Sequence, residues 1–208
     1  MNEDDLYEAR LELVDFGIAV FWDVPKPEFL ERLLGDGTVL PDDSVNGPMD
    51  EGFAMLEAWI DENRGRPIEE VRDEVNVEYT DLFVGPRPPV LPHESYYRGD
   101  TDYLGEGLAA VTKSYRAAGW SSPEDYEEED DFIAVELAFL RDLIQRQRAG
   151  QVETVGFERV FLEDHVTEWI DDFVADMREK ADPGLFLAAA LAVQGLVRFE
   201  DEIVAQIA

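Results

Sequence analysis

Residues 132–144 read FIAVELAFLRDLI, and their spacing decides the fold class. Ile133, Leu137, Leu140 and Ile144 recur at intervals of four, three and four, the period of one face of an α-helix, with Phe132, Phe139 and Leu143 alongside. Glu136 interrupts this apolar run. A carboxylate there has to be paired, hydrogen-bonded or turned to a groove, because an isolated buried charge is costly. An intramolecular partner such as an arginine and a polar contact in a binding cleft are both open readings of it.

The same period extends to either side. Towards the C-terminus it predicts a helix from Phe157 to Met177, carrying Val160, Phe161, Val166, Trp169, Ile170, Phe173 and Val174. Asp182-Pro183, an N-cap and first-turn pair, then opens a last helix through Leu185, Phe186, Leu191, Leu196, Phe199 and Ile203. Towards the N-terminus, Tyr103, Leu104, Leu108, Val111 and Tyr115 mark a helix closing at Gly119. Before it, Leu6 to Trp22 reads as a helix buried over a wide arc, and Pro27 opens a short segment that stops at Gly35 and Gly37. Pro48 to Asn63 is a third helix, ending before Gly65, and Pro67 opens a fourth with Ile68, Val71, Val75 and Leu82 on one face and Tyr79 beside them.

No alternating stretch bounded by hairpin turns occurs, and no internal repeat. The expected fold is all-α, a multi-helix bundle of about seven to nine helices. Two stretches break it. GPRPPVLPHESYYRGD, residues 85–100, carries Pro86, Pro88, Pro89 and Pro92, which remove backbone donors and forbid helix through the stretch. WSSPEDYEEEDD, residues 120–131, reads as a solvated linker ending in an acidic N-cap. The chain is then one unit, 1–208, with two helical lobes, 1–120 and 121–208, sharing an interface.

The 208 residues include 17 Lys and Arg against 49 Asp and Glu, a net charge of −32 and a pI near 4.1. Such a surface repels phosphate backbones and anionic lipid, so nucleic acid is excluded as a partner. With 45% hydrophobic residues the chain can still fill a core, so disorder is disfavoured. Only Lys26, Lys113 and Lys180 are lysines, and acids are spread along the whole length, as in proteins of a salt-loaded, halophile-like cytoplasm. There is no cysteine, which removes disulfides and thiolate chemistry. The acidic start Met1-Asn2-Glu3-Asp4-Asp5 is unlike a secretory signal, and Gly184 to Val197 is too short to span a bilayer, so a soluble cytoplasmic protein is expected.

Catalytic chemistry is poorly supplied. The two histidines are His93 and His165. Glu168 follows His165 by one turn, but a di-iron bundle needs two Glu-x-x-His motifs and the chain has none in that order, so a partly buried histidine between Phe161 and Trp169 is the plainer reading. Gly105-Glu106-Gly107 lacks the spacing of a phosphate loop, and Ser95 near His93 is a poor nucleophile pair. Neither an enzyme nor a cofactor or metal site is expected. What remains is Tyr79 to Tyr97, a helix end followed by a stiff aromatic strap. Such a strap either closes the core or walls a groove for an apolar peptide, since proline-fixed backbone lowers the ordering cost of binding.

At this strap the sequence resembles the TorD/DmsD family of cytoplasmic chaperones for molybdenum-cofactor enzymes. The matching residues are Tyr79, Leu82, Phe83, Gly85, Pro86, Pro92, Glu94, Ser95 and Tyr97. Two later stretches match in the same order: Asp130-Asp131-Phe132-Ile133 with Glu136-Leu137-x-Phe139-Leu140, and Phe161-Leu162-x-x-His165-Val166-x-x-Trp169. His93 stands where the family often has an aromatic residue, and Phe132 where an Asp-His pair is usual. The resemblance implies a chaperone that binds the twin-arginine signal peptide of a molybdoenzyme catalytic subunit and holds the apoenzyme until its cofactor is inserted. It places the twin arginines near Asp131, Glu94 or Glu136 and the apolar stretch against Leu82, Phe83 and Trp169. The alternatives are a chaperone of a nitrate-reductase-like subunit without signal-peptide binding, and a helical metal-dependent enzyme using His165, Glu168 and Glu136. A monomer and a domain-swapped dimer are both compatible with the linker.

Overall fold

The computed structural model describes residues 3–35, 40, 44–99, 106–123, 126 and 128–207. Among these the chain forms ten α-helices and one π-helical turn, with no strand. They are α1 (Glu3–Phe21), α2 (Pro27–Leu33), α3 (Gly47–Asn63), α4 (Ile68–Phe83), α5 (Glu94–Tyr97), α6 (Glu106–Ala117), α7 (Ile133–Arg148), α8 (Thr154–Phe161), α9 (Thr167–Lys180) and α10 (Leu185–Ile207), with the π turn at Leu162–Val166. The all-α expectation is borne out. Gly37, Tyr103, Leu104, Gly105 and the linker residues Glu124, Asp125 and Glu127 lie outside the described residues.

The long apolar α10 is the axis of the bundle, with α3, α1 and α9 packed along it. Its small residues Ala188, Ala189, Ala190 and Ala192 are buried and let α3 come close. A Cβ on Gly52 of α3 would lie 2.8 Å from Ala188 O and Ala192 N, and one on Gly195 would lie 2.5 Å from Met49 Cβ. Asn46 couples that contact to the start of α3. Its Oδ1 accepts the Met49 N–H at 3.1 Å, an N-cap, while its Nδ2 donates to Gly195 O at 2.9 Å. α1 packs on α7 and α10 through Val14, Gly17 and Val20, so both halves of the chain feed the same buried cluster.

A charged knot sits inside the bundle. Arg10 of α1 donates to Glu200 of α10 at 2.8 Å and to Glu158 of α8 at 2.7 Å, and Gln147 of α7 donates to Glu158 at 2.5 Å. All four side chains are buried. Burial pushes the Glu200 carboxyl up to about 8, against the pull of Arg10.

Local structure departs from expectation in three places. A helical turn, α5, follows the last proline inside the strap, where helix was excluded. The acidic run keeps Glu128 and Glu129 exposed but turns Asp131 inward, and the N-cap position of α7 is Phe132, with no side-chain cap. The single helix expected from Phe157 begins at Thr154 and is interrupted by the π turn. Among the described residues no helix is long and apolar enough to cross a membrane.

Candidate functional site

The strap after α4 is sewn to the start of α7. Val90 N donates to Leu82 O at 3.1 Å, Ile133 N to Pro92 O at 2.9 Å, and Glu94 N to Asp131 O at 3.0 Å. His93 and Phe132 pair as an isolated antiparallel bridge. The Asp131 side chain completes the seam: Oδ2 accepts the Ser95 N–H at 3.0 Å and Oδ1 lies 3.2 Å from His93 Nδ1. Asp131 therefore caps α5 from another element, which is why a helical turn forms where no cap precedes it in sequence. Burial alone would raise the Asp131 carboxyl, but the bonds from His93 and Ser95 outweigh it and hold it below the usual carboxylate range.

Glu94, the first residue of α5, points into the protein and is fully buried. Its carboxylate accepts Arg98 Nη1 at 2.5 Å and lies 3.1 Å from His165 Nδ1. Arg98 Nη1 also donates to Asp164 O at 2.7 Å, so the guanidinium joins α5 to the π turn. His165 Nε2 lies 2.9 Å from Ser114 Oγ on α6. The two ring nitrogens of His165 are thus held between Glu94 and Ser114. The π turn carries one extra residue per turn, its Leu162 carbonyl accepting from Thr167, and this sets His165 beneath the strap.

Glu136 lies beside Glu94. Its Oε2 accepts the Trp169 Nε1–H at 3.2 Å, whereas Oε1 is buried with no donor facing it. Burial, and then the charge of Glu94, raise the Glu136 carboxyl well above its ordinary range. The upward shift favours the protonated form of Glu136, with Glu94 the neighbouring acidic group. The Trp169 ring stacks on Tyr97 at 5.6 Å, and Tyr97 Oη donates to Asp176 at 3.2 Å.

The structure brings most of the expected site residues together. Glu94, Asp131, Glu136, His165 and Trp169 form one polar network, all buried, with Pro92, His93, Ser95, Tyr97 and Phe132 around it. Tyr79 and Phe83 stand apart, in an aromatic cluster with Phe186 in which Phe83 also meets Phe21, and Leu82 is buried at the end of α4. Gly85 and Pro86 are exposed where the strap leaves α4, and Gly85 has φ +123°, a conformation that favours glycine. Glu168 is exposed while His165 is buried, so those two do not share a site, and no three metal-ligating side chains group among the described residues.

Sequence reasoning missed Ser114, Arg98 and the pair Trp22–Tyr126. Arg98 was within reach of it, being four residues after Glu94; Ser114 left no signal. Trp22 and Tyr126 stack at 3.8 Å, and Tyr126, Phe132 and His93 continue as a row of rings along the strap's edge. Beside Trp22, a groove of about 400 Å³ runs between Ile18, Val24 and Phe29.

A family profile described as nitrate reductase delta subunit matches residues 43–175, which include every member of the network. The chain belongs to that family. Its sequence is also 28% identical over 118 residues to a protein named Chaperone protein TorD from Vibrio atlanticus (strain LGP32), a match covering 53% of this chain and 55% of that protein. The chain thus spans about half the length of the curated relative it matches. Together these bear out the TorD/DmsD-type resemblance carried by the three motifs.

Proposed function

We propose that this protein is a cytoplasmic maturation chaperone that binds the twin-arginine signal peptide or the apo form of a molybdopterin oxidoreductase of the DMSO or TMAO reductase type, and assists cofactor insertion before export. The observation that carries the reading is the convergence of three motif stretches, distant in sequence, on one sealed network beneath the strap. Glu94, Asp131, Glu136 and His165 act from below: they fix the strap, with Trp169 and Leu82 as its apolar bed. Contact with the peptide falls to what the strap and α4 present, namely Tyr79, Phe83, Gly85, Pro86, His93, Ser95 and Tyr97. A peptide with a basic start and an apolar core suits so acidic a protein, and burial of its apolar core supplies the affinity.

The test is calorimetric titration, in molar potassium chloride, of twin-arginine peptides from molybdoenzymes of the same genome, each against a twin-lysine control. Saturable binding with a negative heat-capacity change, weakened by lysine, is the expected result. Absence of binding to every peptide would remove signal-peptide recognition. The family description favours one second reading, a chaperone of a nitrate-reductase-like subunit that docks away from any signal peptide. Binding of the apo-subunit lacking its leader would then replace peptide binding.

A further inference from the structure

Among the described residues two buried side-chain oxygens have no hydrogen-bond partner, Glu136 Oε1 and Glu78 Oε1. The first belongs to the buried network already described. The second lies on α4, on a groove of about 700 Å³ between α4 and the turn joining α9 to α10. Its walls are apolar where Trp59, Val77, Leu82 and Pro183 line it, and Val77 is 59% exposed. Its charges are unbalanced. Glu74 is taken by Arg66 and Lys180 by Asp176, leaving Asp73, Glu78, Asp81 and Asp182 without an ion pair among the described residues. Gly184 keeps the floor open: a Cβ there would come 3.7 Å from Trp59 Cδ1 and 3.8 Å from Glu78 Oε1, so indole and orphan oxygen face the same point.

We propose that this groove is a docking site for an arginine side chain carried on an apolar segment of the client, with the guanidinium between Glu78 and the Trp59 ring. A buried carboxylate oxygen lacking a donor, an aromatic wall and an excess of acid match a planar cation that can bond a carboxylate and stack on a ring together, which an ammonium does less well. Burial, and then the charge of Asp182, push the Glu78 carboxyl up to about 7. α4 links the groove to the strap, with Tyr79 and Phe83 turned to the aromatic cluster and Val77, Glu78 and Asp81 lining the groove. The inference rests on the proposed function for the identity of the client, and adds to it a second contact on the far side of α4.

The first probe is N-acetyl-L-arginine methylamide, titrated in molar potassium chloride into the full-length ¹⁵N-labelled protein, with the lysine and citrulline analogues as controls. The indole signal of Trp59 is expected to shift saturably with arginine, several-fold less with lysine and not with citrulline, while buried Trp169 stays still and reports an intact fold. Glu78→Gln keeps the shape and removes the charge; Gly184→Val fills the floor. Each should weaken arginine binding at least tenfold. No Trp59 shift up to the solubility limit, equal response to lysine, or unchanged binding in Glu78→Gln would overturn the site. A twin-arginine peptide that bound wild type and both variants alike would refute the groove and leave the proposed function standing. Arginine seen at Trp59, with no peptide bound, would do the reverse.

Discussion

Glu94 and Glu136 are neighbouring buried carboxyls, and replacing each by glutamine in turn should have opposite consequences. Glu94 receives two charged or polar donors, Arg98 Nη1 at 2.5 Å and His165 Nδ1 at 3.1 Å. Glutamine in its place offers one acceptor oxygen and turns an N–H₂ group towards the other donor. Losing one bond to a charged group and weakening the second should cost about 2–4 kcal/mol. For a chain of this size that lowers Tm by on the order of 10 °C. The upward shift of Glu136 favours its protonated form, which glutamine mimics with an oxygen for Trp169 and an N–H₂ in place of the hydroxyl, so the cost should stay within about 1 kcal/mol.

The pH dependence separates the two further. Because the folded Glu136 carboxyl is raised above its unfolded range, the folded state holds a proton the unfolded chain releases, and stability falls as pH rises above about 4.5. Glu136→Gln removes that loss, so its stability relative to wild type should improve as the pH rises from 5 towards the raised value of the folded carboxyl. Circular dichroism during thermal and denaturant unfolding, at four pH values and constant salt, measures both quantities. The Arg10 knot lies elsewhere and cancels in the comparison. A Glu136→Gln protein as unstable as Glu94→Gln, or one whose pH profile parallels wild type, would refute a neutral Glu136.

The remaining predictions concern the frame and the cap. Gly52→Ala and Gly195→Ala should each lose about 1–3 kcal/mol because the new methyl meets backbone atoms of the facing helix, whereas Gly156→Ala on α8, which meets nothing within 4 Å, should be neutral or stabilising by about 0.5 kcal/mol, both by denaturant unfolding. Arg10→Met should cost about 3–5 kcal/mol by leaving Glu158 and Glu200 buried without their cation; in wild type, with Glu200 raised to about 8, stability from this knot should decline between about pH 4.5 and 8. Asp131→Asn should release α5, seen as faster amide exchange at Ser95 with little change in α7. Since the folded Asp131 carboxyl is lowered, the stability it contributes is present above its unfolded pKa and fades in wild type as the pH drops towards the folded value.

The helices were legible because their signal is local: apolar residues three and four apart fix a period whatever else the chain does. α5 was not, since it owes its existence to Asp131, 36 residues away, and a cap supplied by another element leaves no mark beside the helix it caps. Asp131 itself was hidden in an acidic run whose neighbours Glu128 and Glu129 are exposed. The pairing of His165 with Glu168 assumed a regular helix, and the π turn places the histidine inside and the glutamate outside. The motif residues, by contrast, were found on the resemblance before their geometry was known. Of the two readings left open for Glu136, an intramolecular partner such as an arginine or a contact in a cleft, the structure shows an intramolecular partner of another kind, the Trp169 indole.

The π turn has one further meaning. It behaves as a dislocation in the hydrogen-bond ladder from α8 to α9: moving it by one residue exchanges one i→i+5 bond for an i→i+4 bond and leaves the count of bonds unchanged. Each such step rotates the residues it passes by about 100° about the helix axis. Where the turn stands, it leaves His165 inside against Glu94 and Glu168 outside in solvent.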